Sequence, residues 1–90
     1  MHVVITAHDK TNHLTVRVSN WEAHLQYVKK AGAVKVARAL LDGSGQMCGP
    51  LIILEVTSMA KATSWATNDP YIQENLFEST KIVKWKKVIG

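Results

Sequence analysis

Cysteine, proline and glycine are all scarce in this chain of 90 residues, which contains one, two and five of them respectively. The one cysteine, Cys48, excludes an internal disulfide and any metal cluster held by several cysteine ligands. A chain without disulfides suits a reducing compartment, so we predict a cytoplasmic protein. No repeat, linker or low-complexity segment interrupts the sequence, which indicates a single domain over residues 1–90.

Long apolar runs and nucleotide-binding motifs are missing as well. No stretch approaches the ~20 apolar residues of a membrane span. The first residues lack the basic region and the cleavage site of a secretory signal. No glycine-rich dinucleotide fingerprint is present. We therefore expect neither a membrane partner nor a bound cofactor.

The charge of the chain is mildly positive, with a formal net charge of +4 at pH 7. Lys84 and Lys86 alternate with Val83 and Trp85, which is typical of an edge strand with one solvated face. A nucleic-acid site would need basic residues together with exposed aromatic side chains on one face. We therefore expect no nucleic-acid partner, although a weak positive field can attract a small anion.

Runs of apolar and β-branched residues predict four strands, which cover residues 3–7, 34–41, 51–56 and 81–88. The composition of residues 42–45 is typical of a turn, so the second and third strands should form a hairpin.

Two helices are predicted between these strands. Their boundary signals are Ser19 or Asn20 and then Gly32 for the first helix, and Thr57 or Ser58 and then Pro70 for the second. Residues 14–18 fit either a strand or a helical lead-in, and residues 71–78 a connection with a short helical turn. The order β-α-β-β-α-β predicts an α+β, ferredoxin-like fold with an antiparallel sheet.

This topology gathers three distant polar segments at one end of the sheet. Asp9 follows the first strand, His24 lies early in the first helix, and Asp69-Pro70-Tyr71 follows the second helix. A histidine beside a carboxylate can transfer protons, because the carboxylate fixes the ring tautomer and stabilises the imidazolium. The topology leaves open which carboxylate meets His24. Taken singly, each of these residues also fits an ordinary turn or helix-surface role.

Other chemistry-bearing residues form weaker patterns. His2, His8 and His13 lack the rigid spacing of a metal site, so no metal is expected. Cys48 has no base or oxyanion motif beside it, and Ser44 is typical of a turn.

The segments around the polar cluster resemble those of the YCII-related family, also called YciI-like proteins, over essentially the whole chain. They are Ala7-His8-Asp9-Lys10, Arg17, Ala23-His24-Leu25, Leu40-Leu41-Asp42, Trp65-Ala66, Asp69-Pro70-Tyr71, Leu76-Phe77-Glu78 and Trp85-Lys86-Lys87-Val88-Ile89-Gly90. Each fragment alone is weak, but their order and spacing together make a specific match.

The resemblance implies a ferredoxin-like subunit that pairs sheet to sheet as a dimeric α/β barrel, and a catalytic His-Asp pair. By position the histidine is His24, and we place its partner at Asp9 first and Asp69 second. One activity known in the family is dehydrochlorination of a chlorinated hydroxyhydroquinone, and similar folds include muconolactone isomerase. Dehydrochlorination and the isomerase reaction both depend on proton transfer to and from a small ring.

The chain departs from the family pattern in the second strand, where many relatives have Gly-Pro and this chain has Arg38-Ala39. It also has Gly49-Pro50 where Gly-Ser is usual. Arg38 is therefore a candidate for binding a substrate oxygen or carboxylate, as a guanidinium suits such anions. A solvated strand arginine is the alternative.

The primary hypothesis is a homodimeric lyase or isomerase without cofactor that acts on a small oxygenated ring, with or without chlorine. His24 would be the base, and Asp9 or Asp69 would orient it. The expected substrate-binding residues are Asp69, Pro70, Tyr71, Trp21 and Arg38. The alternative is a non-catalytic dimeric ligand-binding or accessory module, because a fold does not fix a function.

Overall fold

Four strands and three helices make up the computed structural model, which describes residues 1–90. In chain order they are β1 (His2–Asp9), α1 (Leu14–Ala31), β2 (Val34–Leu41), β3 (Met47–Glu55), α2 (Met59–Thr67), α3 (Pro70–Gln73) and β4 (Phe77–Trp85). The strands form one antiparallel sheet in the order β2-β3-β1-β4. The predicted ferredoxin-like fold is confirmed. No helix combines the length and the apolar character needed to cross a membrane.

The hydrophobic core lies between α2 and one face of this sheet. Ile5 of β1 is paired with Ile52 of β3, and Val3 is paired with Leu54, so all four share that face. Fully burying an aliphatic side chain of this size contributes ~1.5–3 kcal/mol. The small buried residues of α2 are Ala62 and Ala66, which let the helix approach the strands closely.

The first helix begins earlier than the sequence signals indicated. It starts at Leu14, and neither Ser19 nor Asn20 is its cap. The Asn20 amide instead donates to the Val16 carbonyl one turn back, which is a mid-helix interaction. His13 holds the cap position without a side-chain cap bond. The start of this helix is therefore not marked by a typical capping residue in the sequence.

Three strand boundaries also differ from their predicted positions. β1 continues through Asp9, where a loop was expected, because its pairing with β4 persists to Phe77. β3 begins at Met47 and includes Gly49 and Pro50, which compositional rules assign to a turn. β4 covers Phe77–Trp85 and so lies a few residues before its predicted range.

The remaining helix boundary signals are confirmed, including the end of α2 before Pro70. Gly32 ends α1 with φ of 68°, a left-handed conformation that glycine adopts without steric cost. Ser58 caps α2, since its hydroxyl oxygen accepts a hydrogen bond from the Lys61 amide at 3.2 Å. The short helical turn expected after Pro70 is α3.

Candidate active site

A cavity of about 140 Å³ lies between α1 and the β2–β3 half of the sheet. Its wall is formed by Arg17, Trp21, His24, Leu25, Ala37, Arg38, Ala39, Met47, Gly49, Pro50, Ile52 and Tyr71. Most of these residues are apolar, whereas Arg17 and His24 are buried polar side chains. An apolar slot with a few fixed polar groups is the usual form of a small-molecule site.

His24 lines this cavity and forms a buried hydrogen-bonded pair with Asp69, which is not itself in the cavity wall. His24 Nδ1 is 2.9 Å from Asp69 Oδ1, although the two residues are 45 positions apart in the chain. Asp69 is 2% exposed and His24 is 8% exposed. Burial limits competition from water, so the pair is a stronger electrostatic interaction than a surface contact of the same length.

Local structure around Pro70 holds the Asp69 carboxylate in place. Asp69 is the N-cap of α3, and its Oδ1 also accepts a hydrogen bond from the Tyr71 amide at 3.0 Å. Pro70 at the first helical position fixes the backbone turn, because its ring restricts φ. The Asp-Pro-Tyr segment therefore presents one carboxylate oxygen to His24 with little freedom to move.

The geometry of the pair determines which imidazole nitrogen is available for chemistry. An ionised carboxylate can only accept hydrogen bonds, so the His24 nitrogen that faces Asp69 carries the hydrogen. In the neutral ring, Nε2 then holds the free lone pair. A proton accepted at Nε2 would give an imidazolium whose charge is balanced by Asp69.

Tyr71 covers the imidazole ring. The two rings are stacked, with centroids 4.1 Å apart and planes at 12°. Tyr71 is 1% exposed, and its hydroxyl is buried without a hydrogen-bond partner. Burial raises the pKa of Tyr71, and the nearby Arg17 charge opposes this only in part. The phenol therefore remains a protonated donor at neutral pH.

Asp9 has a different partner from the one predicted first. Its two carboxylate oxygens accept hydrogen bonds from Arg17, from Nε and, at 2.9 Å, from Nη2. The predicted pairing of His24 with Asp9 is therefore wrong. Arg17 lies two helical turns before His24 on α1, so it meets the end of β1 while His24 meets the segment after α2.

Arg17 is a site residue to which the sequence alone assigned no chemical role. It is 4% exposed, lines the cavity, and lies with its guanidinium carbon 5.0 Å from the centre of the Tyr71 ring. Its hydrogen bond to Asp9 raises the pKa of Arg17 further, so it is a permanent cation. The available signal was the seven-residue spacing to His24, which places both on one helix face.

The other residues predicted to bind substrate are Trp21, Pro70 and Arg38, and they relate to the cavity in different ways. Trp21 lines it and is 40% exposed, so it forms part of the mouth. Pro70 shapes the turn and is not in the cavity wall. Arg38 is exposed at the rim, where its Nη1 donates to the Ala37 carbonyl at 3.0 Å. Its pairing opposite Leu51 puts its side chain on the sheet face away from α1.

The other histidines are dispersed. His2 Nε2 lies 3.4 Å from the exposed Glu55 carboxylate at the far end of β1, and His13 Nδ1 contacts the Thr11 carbonyl. No group of three or more His, Cys, Asp or Glu side chains is arranged to hold a metal ion.

Comparison with known proteins identifies the same family by two routes. The family model of the YCII-related domain matches residues 1–86. Protein YciI of Escherichia coli strain CFT073 is 30% identical, and the match covers 94% of this chain and 96% of that protein.

Solved structures include a close relative of known activity. The 5-chloro-2-hydroxyhydroquinone dehydrochlorinase TftG of Burkholderia phenoliruptrix AC1100, in complex with 2,5-dihydroxybenzoquinone, has a TM-score of 0.88 and 32% identity. That match covers 96% of this chain and 94% of TftG. Rv0793 from Mycobacterium tuberculosis shares the fold, with a TM-score of 0.62 at 6% identity over 99% of this chain and 97% of that one. The chain belongs to the YCII-related family.

Proposed function

We propose that this protein is a small enzyme that transfers protons on an oxygenated ring, with His24 as the general base and Asp69 as its orienting partner. The observation that carries the proposal is the buried 2.9 Å hydrogen bond between these residues at the wall of an apolar cavity. A positioned acid–base group of this kind typically contributes 10²–10⁴-fold in rate.

The size and lining of the cavity support a single ring as the ligand. A cavity of ~150 Å³ is large enough to hold benzene, and the one beside His24 is about 140 Å³. Ala37, Ala39 and Pro50 give one side of it a flat apolar surface. The similarity to TftG favours a hydroxylated ring, with or without chlorine, over an aliphatic substrate.

Loss of hydrogen chloride from such a ring needs only proton transfers. His24 Nε2 removes a hydroxyl proton, the ring takes up a proton at the carbon that carries chlorine, and a keto form results. Loss of a second hydroxyl proton then drives the ring electrons to expel chloride from that carbon. Overall, two O–H bonds and the C–Cl bond break and one C–H bond forms at the carbon that carried chlorine, so a quinone and hydrogen chloride are the products.

The test is turnover of a substrate panel under anaerobic conditions by the wild-type protein and by His24→Ala. The panel contains chlorinated hydroxyhydroquinones and related lactones, followed by ultraviolet spectra and by chloride release. Turnover by the wild type alone supports the proposal and identifies lyase or isomerase chemistry. Absence of turnover from both proteins, with both folded, would favour the non-catalytic ligand-binding module.

A cytoplasmic homodimer is part of the same proposal. The sheet face opposite the core carries an unbroken apolar row across all four strands, Val36-Ile53-Val4-Val83. Val83 is 51% exposed in the single chain. An apolar surface that runs across a whole sheet marks an interaction site more often than a free surface. Sheet-to-sheet pairing of two copies would cover it.

A further inference from the structure

Two polar groups in the cavity wall have no task in the proton transfer by His24. They are the hydroxyl of Tyr71 and the guanidinium of Arg17. Both are almost completely buried, and a buried polar group is normally retained only where it has a partner.

The Tyr71 hydroxyl is the less expected of the two. A buried hydroxyl without a partner is unfavourable by roughly 1–3 kcal/mol, so phenylalanine would be the more stable choice for a purely structural ring. The other tyrosine of the chain shows the contrast, since the Tyr27 hydroxyl donates to the Trp65 carbonyl at 2.6 Å. Tyr71 therefore carries a donor that the folded chain itself does not use.

Arg17 supplies positive charge at the same place. Asp9 engages Nε and Nη2 of its guanidinium, which holds the group rigidly against the end of β1. The Arg17 guanidinium carbon lies 5.0 Å from the centre of the Tyr71 ring, and its charge partly offsets the rise that burial causes in the pKa of Tyr71. A rigid cation next to a free O–H donor is the arrangement that stabilises an oxygen anion.

We propose that Arg17 and Tyr71 form an oxygen-binding corner that holds a negatively charged oxygen of the ring substrate. This inference rests on the proposed function and narrows its substrate class to rings with at least two oxygen substituents. One oxygen occupies the corner as a phenolate or enolate, while a second presents its proton to His24 Nε2. The Tyr71 hydroxyl is shielded from water in the unliganded chain, so the proposal requires the cavity wall to open slightly when the ligand enters.

The corner also places charge stabilisation where the reaction needs it. Removal of a hydroxyl proton by His24 generates negative charge that spreads through the ring to the other oxygen. A donor and a cation fixed at that oxygen stabilise the charge without reorganisation during the reaction. The substrate then spans the cavity between the corner and His24, both of which lie on or against the same face of α1.

The test measures binding of 2,5-dihydroxybenzoquinone by titration calorimetry to the wild-type protein and to Tyr71→Phe, Arg17→Lys, Tyr27→Phe and Arg38→Gln. Each hydroxyl of this probe is a vinylogous acid, so the probe is an anion at neutral pH. Urea unfolding of each variant is measured in parallel, without ligand.

Tyr71→Phe is expected to bind the probe on the order of 10-fold to 100-fold more weakly, since it loses a hydrogen bond to a charged oxygen. Its stability should equal or exceed that of the wild type. Arg17→Lys should also weaken binding. Tyr27→Phe should show the opposite pattern, with lower stability and unchanged affinity, because its hydroxyl has a partner within the protein.

Equal affinity of wild type and Tyr71→Phe would overturn the corner while leaving the proposed function intact. Weaker binding by Arg38→Gln with full affinity in Tyr71→Phe would assign the oxygen to Arg38 and would also overturn it. Failure of the wild type to bind the probe would reject the ring ligand itself, and the corner with it.

Discussion

Asp9 and Asp69 lie at the same end of the fold, yet they have separate partners. Asp69 meets His24, and Asp9 meets Arg17. The two carboxylates therefore have different physical roles, one beside an imidazole that can change its protonation state and one beside a permanent cation. Substitution of each by asparagine should separate these roles.

Asp69→Asn is expected to destroy the preference of His24 for the tautomer with hydrogen on Nδ1, because an amide group can donate as well as accept. Asp9→Asn should leave that tautomer unchanged. Long-range ¹H–¹⁵N NMR correlation of the imidazole ring distinguishes the two tautomers without any substrate. A wild-type His24 with its hydrogen on Nε2 would contradict the assignment of the base.

Asp9→Asn should instead lower the free energy of unfolding, by roughly 3–5 kcal/mol, because the buried Arg17 cation loses its charged partner. Urea unfolding measures this directly. Asp69→Asn, which retains its place as an N-cap residue, serves as the comparison.

From the sequence one can predict at which end of the fold the site forms, but not which carboxylate pairs with His24. Connectivity decides that Asp9, His24 and the Asp-Pro-Tyr segment converge, and this requires only strand and helix directions. The choice between two carboxylates depends on differences of a few ångströms. They also depend on the position of α1, which starts almost two turns earlier than its capping signals indicate.

At the scale of the elements, the close approach of β3 to β1 shapes the cavity floor. Gly49 lies in β3 beside the end of β1, and a Cβ atom there would be 1.8 Å from the Ala7 carbonyl oxygen. Strand composition could not reveal this, since the Gly49-Pro50 pair is typical of a turn. The absence of a side chain at Gly49 is what allows β3 to continue along β1.

Gly49→Ala is therefore expected to destabilise the protein by at least ~2 kcal/mol, because the obstacle is backbone and cannot rotate away. Gly43→Ala is the matched control, since no atom lies within 4 Å of a Cβ there. It should change stability by less than ~0.5 kcal/mol. Urea unfolding of the two variants compares them directly, and similar midpoints would refute the packing argument.

At the scale of the whole molecule, the apolar row across the open sheet face predicts association. We expect light scattering at micromolar concentration to give twice the mass of one chain. Val83→Glu should yield a monomer, because the substitution would bury an unpaired charge between two sheets.

Val18→Glu provides the control for this prediction. Val18 is 66% exposed on α1, away from the sheet, so the same change of charge there should leave the mass unchanged. A monomeric wild type, or a Val83→Glu protein of unaltered mass, would argue against sheet-to-sheet pairing.

The central claim, that His24 is the base, is tested most directly by chemical rescue of His24→Ala. On the substrate that the wild type converts best, the variant should lose at least ~10²-fold in turnover, and added imidazole should restore part of it. His2→Ala is the control, because His2 also lies beside a carboxylate but at the far end of β1. It should retain full activity. Undiminished turnover by His24→Ala would contradict the claim.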